Sequence, residues 1–293
     1  MQEKRVLWLV LLIGFSLSAQ IKGVVKDSLT GKPISYVNIA VENENKGTTS
    51  EENGEFSINI KGEGRNLIFS ALGYEKLKIK ATRASEVKLI PKTFQLDEVV
   101  IAKRFGTKTQ EIGSTKNEIA QAFDNGPRID VKYFPYVPKY KKTRYLKQVS
   151  IYTDSSIENA TIRIHFYTVD DFGFPSDELL EKDFIVTVKK GVKKSYFNVS
   201  DFNLKMPKKG MFVGFEKLII EKNKVENTIT DYNSNTTRVE KTYYPFVLYN
   251  FVPSDYYYTY YGGKWNRETK PANGSSTEKM MIYEPAINIV LTN

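Results

Sequence analysis

Hydrophobic and polar residues alternate in short runs through much of this chain, a pattern typical of half-buried β-strands. Between residues 56 and 60, Phe56, Ile58 and Ile60 alternate with Ser57 and Asn59. One face of this predicted strand therefore meets a core and the other meets water. Few segments repeat apolar residues at helical spacing, so the pattern predicts an all-β fold.

Clusters of turn-forming residues separate the runs in the first hundred residues, at 27–33, 45–48 and 52–55. We expect Gly54 to supply the positive φ that a tight hairpin needs, and Gly73 to mark a sharp bend at a strand end. Short strands joined by such turns predict a β-sandwich over this part of the chain.

Short alternating runs return after residue 129 and predict a second β-sandwich, with strands at 146–152, 160–169, 183–189, 194–199, 210–221, 245–251 and 282–291. In the run at 160–169, the apolar residues Ile162, Ile164 and Phe166 share one face, which we assign to the core. The opposite face carries Arg163, His165 and Tyr167. Strong turns at 170–175 and 207–210 indicate hairpin or Greek-key connections.

The first residues have the features of a secretory signal peptide. Lys4 and Arg5 precede an apolar run at 6–15, and small residues lead to Ala19. The apolar run is too short for a bilayer core of about 30 Å, and no cysteine follows it that could carry a lipid. We therefore expect export, cleavage after Ala19 and no stable transmembrane anchor in the mature protein.

Residues 102–128 show little sustained alternation and contain Gly106, Gly113 and Gly126 as breakers. Apolar residues within 117–123 fall on one helical face, which predicts a short helix in an otherwise irregular linker. The expected organisation is a signal peptide at 1–19, a first sandwich at 20–101, a linker at 102–128 and a second sandwich at 129–293.

Several motifs of the first sandwich occur in an order that resembles a known family, the carboxypeptidase-D regulatory-like domain, which is a transthyretin-like β-sandwich. They are GVVKDSLTGKPI at 23–34, GTT at 47–49, NGEF at 53–56, LIFSALGY at 67–74 and LDEVVI at 96–101. The last motif is similar to the form carried as an N-terminal extension by starch-utilisation-type TonB-dependent transporters of Bacteroidetes. The resemblance implies a non-catalytic accessory domain.

The rest of the chain departs from those transporters, because too few residues follow Ile101 for a plug and an outer-membrane barrel. We therefore expect a partner of such systems rather than a transporter. Residues 129–293 resemble, more loosely, the jelly-roll domains of secreted Bacteroidetes proteins, and that resemblance transfers no site.

Net charge and composition argue against several classes of partner and site. The net charge is +9, with lysines in scattered groups rather than in one basic, aromatic-interleaved face, so we expect a solvated surface and no nucleic-acid partner. The chain has no cysteine, which excludes disulfides, thiolate nucleophiles and sulfur-ligated metals.

His165 is the single histidine, so a site with two histidine ligands is excluded and one candidate for a Ser-His-Asp triad remains. Its position in the middle of a strand, between Arg163 and Tyr167, favours an outward-facing or hydrogen-bonded residue instead. The adjacent carboxylates at 51–52 and 170–171 lie in predicted turns, without a spaced loop of calcium ligands. We therefore predict no catalytic residue, no metal site and no cofactor.

The most unusual composition lies at residues 243–265, where eleven of 23 residues are aromatic. Tyr256, Tyr258, Tyr260 and Trp265 are the candidate ligand-binding residues, because flat rings with a polar edge stack on sugars or anchor protein partners. Strand propensity and core packing explain the same residues without a ligand, and both alternatives stay open.

These observations predict a non-catalytic exported binding or structural module of the cell envelope, in the periplasm or at the outer-membrane surface. The expected partner is an envelope protein, with TonB-dependent transport components among the candidates. The first alternative is a carbohydrate-binding module that uses the aromatic segment 243–265, and the second is a secreted enzyme.

Overall fold

The computed structural model describes residues 19–60, 64–92, 106–113, 121–123, 126–231, 236–269 and 279–293. Within these ranges the chain consists of β-strands and short 3-10 helices, so the all-β prediction is confirmed. No helix in the described part is long and apolar enough to cross a membrane. The expected signal peptide lies outside the described residues except for its last position, Ala19.

The first unit contains seven strands: β1 (Ala19–Asp27), β2 (Asn38–Val41), β3 (Gly47–Thr49), β4 (Glu55–Ile60), β5 (Asn66–Ser70), β6 (Leu77–Lys80) and β7 (Glu86–Leu89). They form a three-stranded sheet in the order β4-β1-β7 and a four-stranded sheet in the order β3-β2-β5-β6. Apolar residues of both sheets share one core. As predicted, Phe56, Ile58 and Ile60 are buried while the residues between them are exposed, and Gly54 has a φ of 78°.

The remaining strands are β8 (Thr109–Ile112), β9 (Gln121–Ala122), β10 (Ile129–Phe134), β11 (Tyr145–Ser155), β12 (Ala160–Val169), β13 (Pro175–Glu178), β14 (Phe184–Val188), β15 (Gly191–Asn198), β16 (Met211–Lys217), β17 (Lys224–Asp231), β18 (Thr236–Tyr243), β19 (Phe246–Ser254), β20 (Tyr256–Tyr261), β21 (Lys264–Thr269), β22 (Met280–Pro285) and β23 (Ile287–Thr292). The 3-10 helices lie at Ala81–Arg83, Pro138–Lys142, Ser200–Phe202 and Glu221–Asn223.

Two seven-stranded sheets make the second unit a β-sandwich. The front sheet has the order β13-β12-β16-β10-β20-β21, with β14 also paired to β12. The back sheet has the order β22-β19-β11-β23-β8, with β15 on β11 and β9 on β19. Ile162, Ile164 and Phe166 of the front sheet are buried in the core shared with the back sheet, which confirms the face predicted for them.

Two short segments of the expected linker are strands of the second unit. Within the expected linker, β8 pairs with β23 and β9 pairs with β19. The helix expected over 117–123 lies mostly outside the described residues, and its described end, Gln121–Ala122, is a strand. Its pairing with β19 satisfies the backbone there. The domain boundaries themselves stay a prediction.

A hairpin formed by β17 and β18 was not expected, because its residues are almost all polar or exposed and give no alternation. Conversely, the single run at 282–291 is split into β22 and β23 by Ala286, which is buried and bonds to Leu248.

The first unit packs against the outer face of the front sheet. Asn43 N–H donates to the Gly262 carbonyl, Ile219 N–H donates to the Thr49 hydroxyl, and Glu221 N–H donates to the Glu51 carboxylate. This packing covers the face of β12 that carries Arg163 and His165.

Candidate functional site

The four aromatic residues predicted as a site occupy unequal environments. Tyr258 and Tyr260 are each only 8% exposed and pack in a cluster with Ile129, Val131 and other apolar residues of the front sheet. Trp265, across the hairpin from Tyr260, packs edge-on against it at 5.3 Å between ring centroids. Tyr256 is 48% exposed. Packing therefore explains Tyr258 and Tyr260, and Tyr256 is the most exposed of the four, with the Arg267 guanidinium 5.3 Å from its ring centroid.

The four candidates also divide between two cavities. Tyr256 and Tyr258 line a cavity of about 200 Å³, which we call the aromatic cavity. Tyr260 and Trp265 line a second one of about 250 Å³ between the two units, which we call the interunit cavity. The β20–β21 hairpin thus does not present the four rings on one binding surface.

The aromatic cavity combines ring faces with a charged group. Tyr133, which is 41% exposed, and the buried Phe212 line it together with Tyr256 and Tyr258. Glu284 on its wall forms an ion pair with Lys132 at 2.7 Å. Exposed rings beside a fixed carboxylate can stack on an apolar ligand face and accept hydrogen bonds from hydroxyl groups.

A buried charged cluster lines the interunit cavity. The Glu216 carboxylate accepts from Arg163 Nη1 at 3.0 Å and lies 3.0 Å from His165 Nε2. The other imidazole nitrogen, Nδ1, lies 2.9 Å from Glu178. Arg163, His165 and Glu216 are at most 8% exposed. Charges buried to this degree are stable only when paired, and each charge here has a partner of opposite sign.

The same cluster joins the two units. Asn38 of β2 donates to the second oxygen of Glu216 at 2.7 Å, and Arg163 Nη2 donates to the carbonyl of Tyr36. Arg163 also forms an ion pair with Asp183 at 3.1 Å. Both oxygens of Glu216 and the two terminal nitrogens of Arg163 therefore bond to protein partners, and Arg163 Nε lies within ion-pair distance of Asp183.

The electrostatics of the cluster fix its protonation. Burial alone lowers the pKa of His165, but Glu178 and Glu216 outweigh burial and raise the pKa to about 9. Burial likewise raises the pKa of Glu216, while Arg163, His165 and Asn38 outweigh it and lower the pKa to about 2. Near neutral pH the cluster therefore holds a charged imidazolium and a charged carboxylate. An imidazolium with both nitrogens hydrogen-bonded has no lone pair with which to act as a base.

The sequence favoured an outward-facing or a hydrogen-bonded strand residue for His165, and the structure shows the second, a buried and hydrogen-bonded imidazole. The rest of the cluster was missed. Arg163 and His165 on one face of a strand were the available signal, but Glu178, Glu216 and Asn38 come from three other strands. Only tertiary pairing brings them together. Among the described residues, no group of three or more Asp, Glu or His is arranged to hold a metal ion.

A second buried charge lies on the inner side of the front sheet. Asp130 pairs with Arg128 at 2.8 Å and accepts from the hydroxyls of Tyr249 and Tyr257 at 2.9 and 3.1 Å. Burial raises the pKa of Asp130 despite these three partners. Tyr257, on the face of β20 opposite Tyr258, is thereby held by a hydrogen bond inside the sandwich.

A third cavity, of about 810 Å³, is a groove that we call the hairpin groove. One side consists of β1, β3 and β4 of the first unit, and the other includes Ile219, Glu221, Lys241 and Tyr243 of the second unit. Apolar surface and both acidic and basic side chains line it. A groove of this volume and mixed composition can hold a segment of a peptide or polymer.

The fold is therefore a small sandwich of a three-stranded and a four-stranded sheet, packed on a second sandwich of two seven-stranded sheets. Comparison with known proteins agrees for the first unit: residues 21–101 match the profile of the CarboxypepD_reg-like domain. The resemblance predicted from the motifs is confirmed.

Two relatives share this region. The chain is 32% identical over 87 residues to the TonB-dependent receptor SusC of Bacteroides thetaiotaomicron, covering 30% of this chain and 8% of that receptor. It is 28% identical over 127 residues to a TonB-dependent receptor of Formosa agariphila, covering 41% of this chain and 13% of that receptor. The chain therefore matches only a small part of either relative.

Proposed function

We propose that this protein is a non-catalytic binding module of the cell envelope, in which the two sandwiches act together toward a protein partner. The observation that carries the proposal is the packing of a receptor-related domain onto a second sandwich through the buried Glu216 cluster. A domain held in this way presents a fixed surface that spans both units.

The hydrogen bonding and protonation of His165 support a non-catalytic role. His165 is protonated near neutral pH and bonded on both ring nitrogens, and Glu216, with its lowered pKa, is a poor proton donor or acceptor at that pH. We include no cofactor, metal or nucleic-acid partner in the proposal.

The proposed location is the periplasm or the outer-membrane surface, after export through the signal peptide at 1–19. The similarity to TonB-dependent receptors makes TonB-dependent transport components the first partners to examine, and another envelope protein the next. A soluble mature chain held to the envelope by its partner fits this arrangement.

Site-specific cross-linking in producing cells tests the proposal. A photo-cross-linking amino acid is placed, one position at a time, at Asn59, Tyr196 and Tyr283, which are exposed on different faces. We expect at least one position to trap the same envelope protein in repeated experiments. If no position yields a reproducible adduct, the protein-binding proposal is wrong.

The exposed ring of Tyr256 supports a second candidate, a carbohydrate-binding module. Tyr133 and Tyr256 expose ring surface at the aromatic cavity, and Glu284 offers an acceptor for sugar hydroxyls.

Retention on a panel of polysaccharides tests this candidate. We expect the Tyr256→Ala variant to lose retention of the polysaccharide that the unmodified protein binds. The matched control is Tyr196→Ala, because Tyr196 is 61% exposed on β15 of the other sheet. Equal retention by both variants and the unmodified protein contradicts a glycan site at the aromatic cavity.

A further inference from the structure

One edge of the first unit is open along the hairpin groove. β4 lies at the end of its three-stranded sheet and pairs only with β1 among the described strands. Residues Glu55 to Asn59 line the groove, with β3 beside them. An edge strand presents backbone N–H and C=O groups that a further strand can pair.

The register identifies which backbone groups face the groove. Val25 N–H donates to the Gly54 carbonyl at 2.9 Å, toward β4, and Val24 N–H donates to Ser85 on the β7 side at 3.1 Å. Hydrogen-bonded pairs alternate along an antiparallel ladder, so Phe56 and Ile58 direct their N–H and C=O groups to β1. Ser57 and Asn59 direct theirs outward, toward the groove.

The composition of β4 leaves this edge unprotected. Natural edge strands are commonly blocked by lysine, proline or a bulge, and β6, β15 and β21 carry lysine side chains at their sheet edges. β4 has six residues, EFSINI, without lysine, arginine or proline, and it pairs with β1 in an unbroken register. The stretch from Phe56 to Ile60 is extended and carries no charged side chain, so a second extended backbone can pair with it.

We propose that β4 is the docking strand for an extended segment of the protein partner, which adds to the sheet by pairing with Ser57 and Asn59. The proposal rests on the proposed protein-binding function and assigns its site and mode. The outward N–H and C=O groups are complementary to an extended polypeptide backbone and not to a folded helix. Main-chain pairing supplies affinity, and the groove supplies selectivity.

The second unit completes the site. Lys241 and Tyr243 of β18, with Ile219 and Glu221, form the wall opposite β4. A segment paired to β4 therefore contacts both units at once. This explains why a receptor-type domain is packed on the second sandwich, since the domain alone would offer the edge without the opposing wall.

The test uses a displayed library of random linear peptides selected on the whole protein. We expect selected peptides to bind the Ser57→Pro variant at least about tenfold more weakly, because proline removes the outward N–H and its ring obstructs a neighbouring strand. The matched control is Ser57→Ala, which removes the same hydroxyl and its bond to Gln20 but keeps the N–H. Its affinity should be unchanged.

Amide hydrogen exchange on the unmodified protein supplies a readout that does not depend on folding of the proline variant. Bound peptide should slow exchange at Ser57 and Asn59 and leave Tyr196 and Tyr283 unaffected. Selection without any binder, equal binding to both Ser57 variants, or protection elsewhere overturns strand addition at β4.

The three cross-linking positions distinguish a failure of the β4 site from a failure of the proposed protein-binding function. An envelope protein trapped from Tyr283 or Tyr196 but never from Asn59 leaves the protein-binding function standing and overturns the β4 site. The absence of any reproducible adduct overturns both.

Discussion

Glu216 is the residue on which the buried groups of both units converge. It is 1% exposed and binds Arg163, His165 and, from the first unit, Asn38. A buried ion pair adds little net stability over an apolar pair, but loss of one partner leaves an uncompensated charge. The main effect of the cluster on stability is therefore the free-energy penalty that follows when one of its charges is removed and its partner stays buried without a counter-charge.

Replacement of Glu216 by alanine should lower the free energy of unfolding by about 3–5 kcal/mol, measured by urea denaturation. Glu86→Ala serves as the matched control. Glu86 pairs with Lys26, and the side chains of Lys26 and Glu86 are 32% and 49% exposed. Ion pairs as exposed as this one contribute roughly 0–1 kcal/mol. Similar losses of unfolding free energy in the two variants would show that the Glu216 cluster stabilises the fold no more than an exposed ion pair does.

His165 should make stability fall as the pH rises. Its pKa is about 6.5 in an unfolded chain and about 9 in the folded one. Below pH 6.5 both states are protonated and the ion pairs contribute in full. Between these values only the folded state keeps the proton, so the contribution declines, and it is lost above about pH 9.

Urea denaturation at pH 6 and at pH 9 measures this decline, and His165→Gln supplies the comparison because it cannot titrate. The decline should be smaller in the variant. Parallel pH profiles would contradict the charged state assigned to His165. On the acid side, Glu216 has a lowered pKa of about 2, so its contribution is lost as the pH falls from about 4.5 toward 2.

At the scale of single elements, β20 shows how one strand serves two environments. Tyr258 contacts Phe212 and Phe174 edge-on, with centroids 5.2 and 5.6 Å apart, whereas Tyr256 two residues earlier is half exposed. The alternation of a strand places both rings on one face, and only the neighbouring chain decides which ring is covered.

Tyr258→Ala should therefore destabilise the protein by about 3–5 kcal/mol, the usual cost of deleting a buried aromatic side chain. Tyr256→Ala should change stability by about 0.5 kcal/mol or less, as is typical of surface substitutions. Thermal and urea unfolding of both variants checks the difference. A large loss for Tyr256→Ala would indicate that its ring is packed rather than available to a ligand.

At the scale of the whole molecule, the turn between β20 and β21 contributes part of the contact between the units. The β20–β21 hairpin turns at Gly262 and Gly263, both with positive φ, as two-residue hairpin loops require. A Cβ at Gly262 would lie 2.9 Å from the Cα of Asn43 in the first unit. Glycine at this position thus permits both the turn and the close approach.

Gly262→Ala should weaken the packing between the units, which calorimetry would record as an earlier, separate transition of the first unit. Gly191→Ala is the control, since its φ is +94° but a Cβ there meets only the end of the Lys193 side chain at 3.8 Å. The control should keep a single transition at a slightly lower temperature. Matching profiles would show that this turn does not couple the units.

The sequence by itself determined the features that depend on neighbouring residues. Alternation along the chain identified β4 and β12 and their buried faces, turn residues identified the turn at Gly54, and the order of motifs identified the regulatory-like domain. These signals are local, because the side-chain period of a strand and the φ of a glycine are set within a few residues.

Tertiary structure decided everything that depends on which strands meet. It buried Tyr258 and left Tyr256 exposed, drew β8 and β9 into the back sheet, and assembled Glu216, His165 and Asn38 from distant parts of the chain. Charges in the interior are stable only beside partners, and those partners are separated by up to 178 positions in sequence. No local pattern encodes such a pairing, so the interface and the groove beside it emerge only from the folded chain.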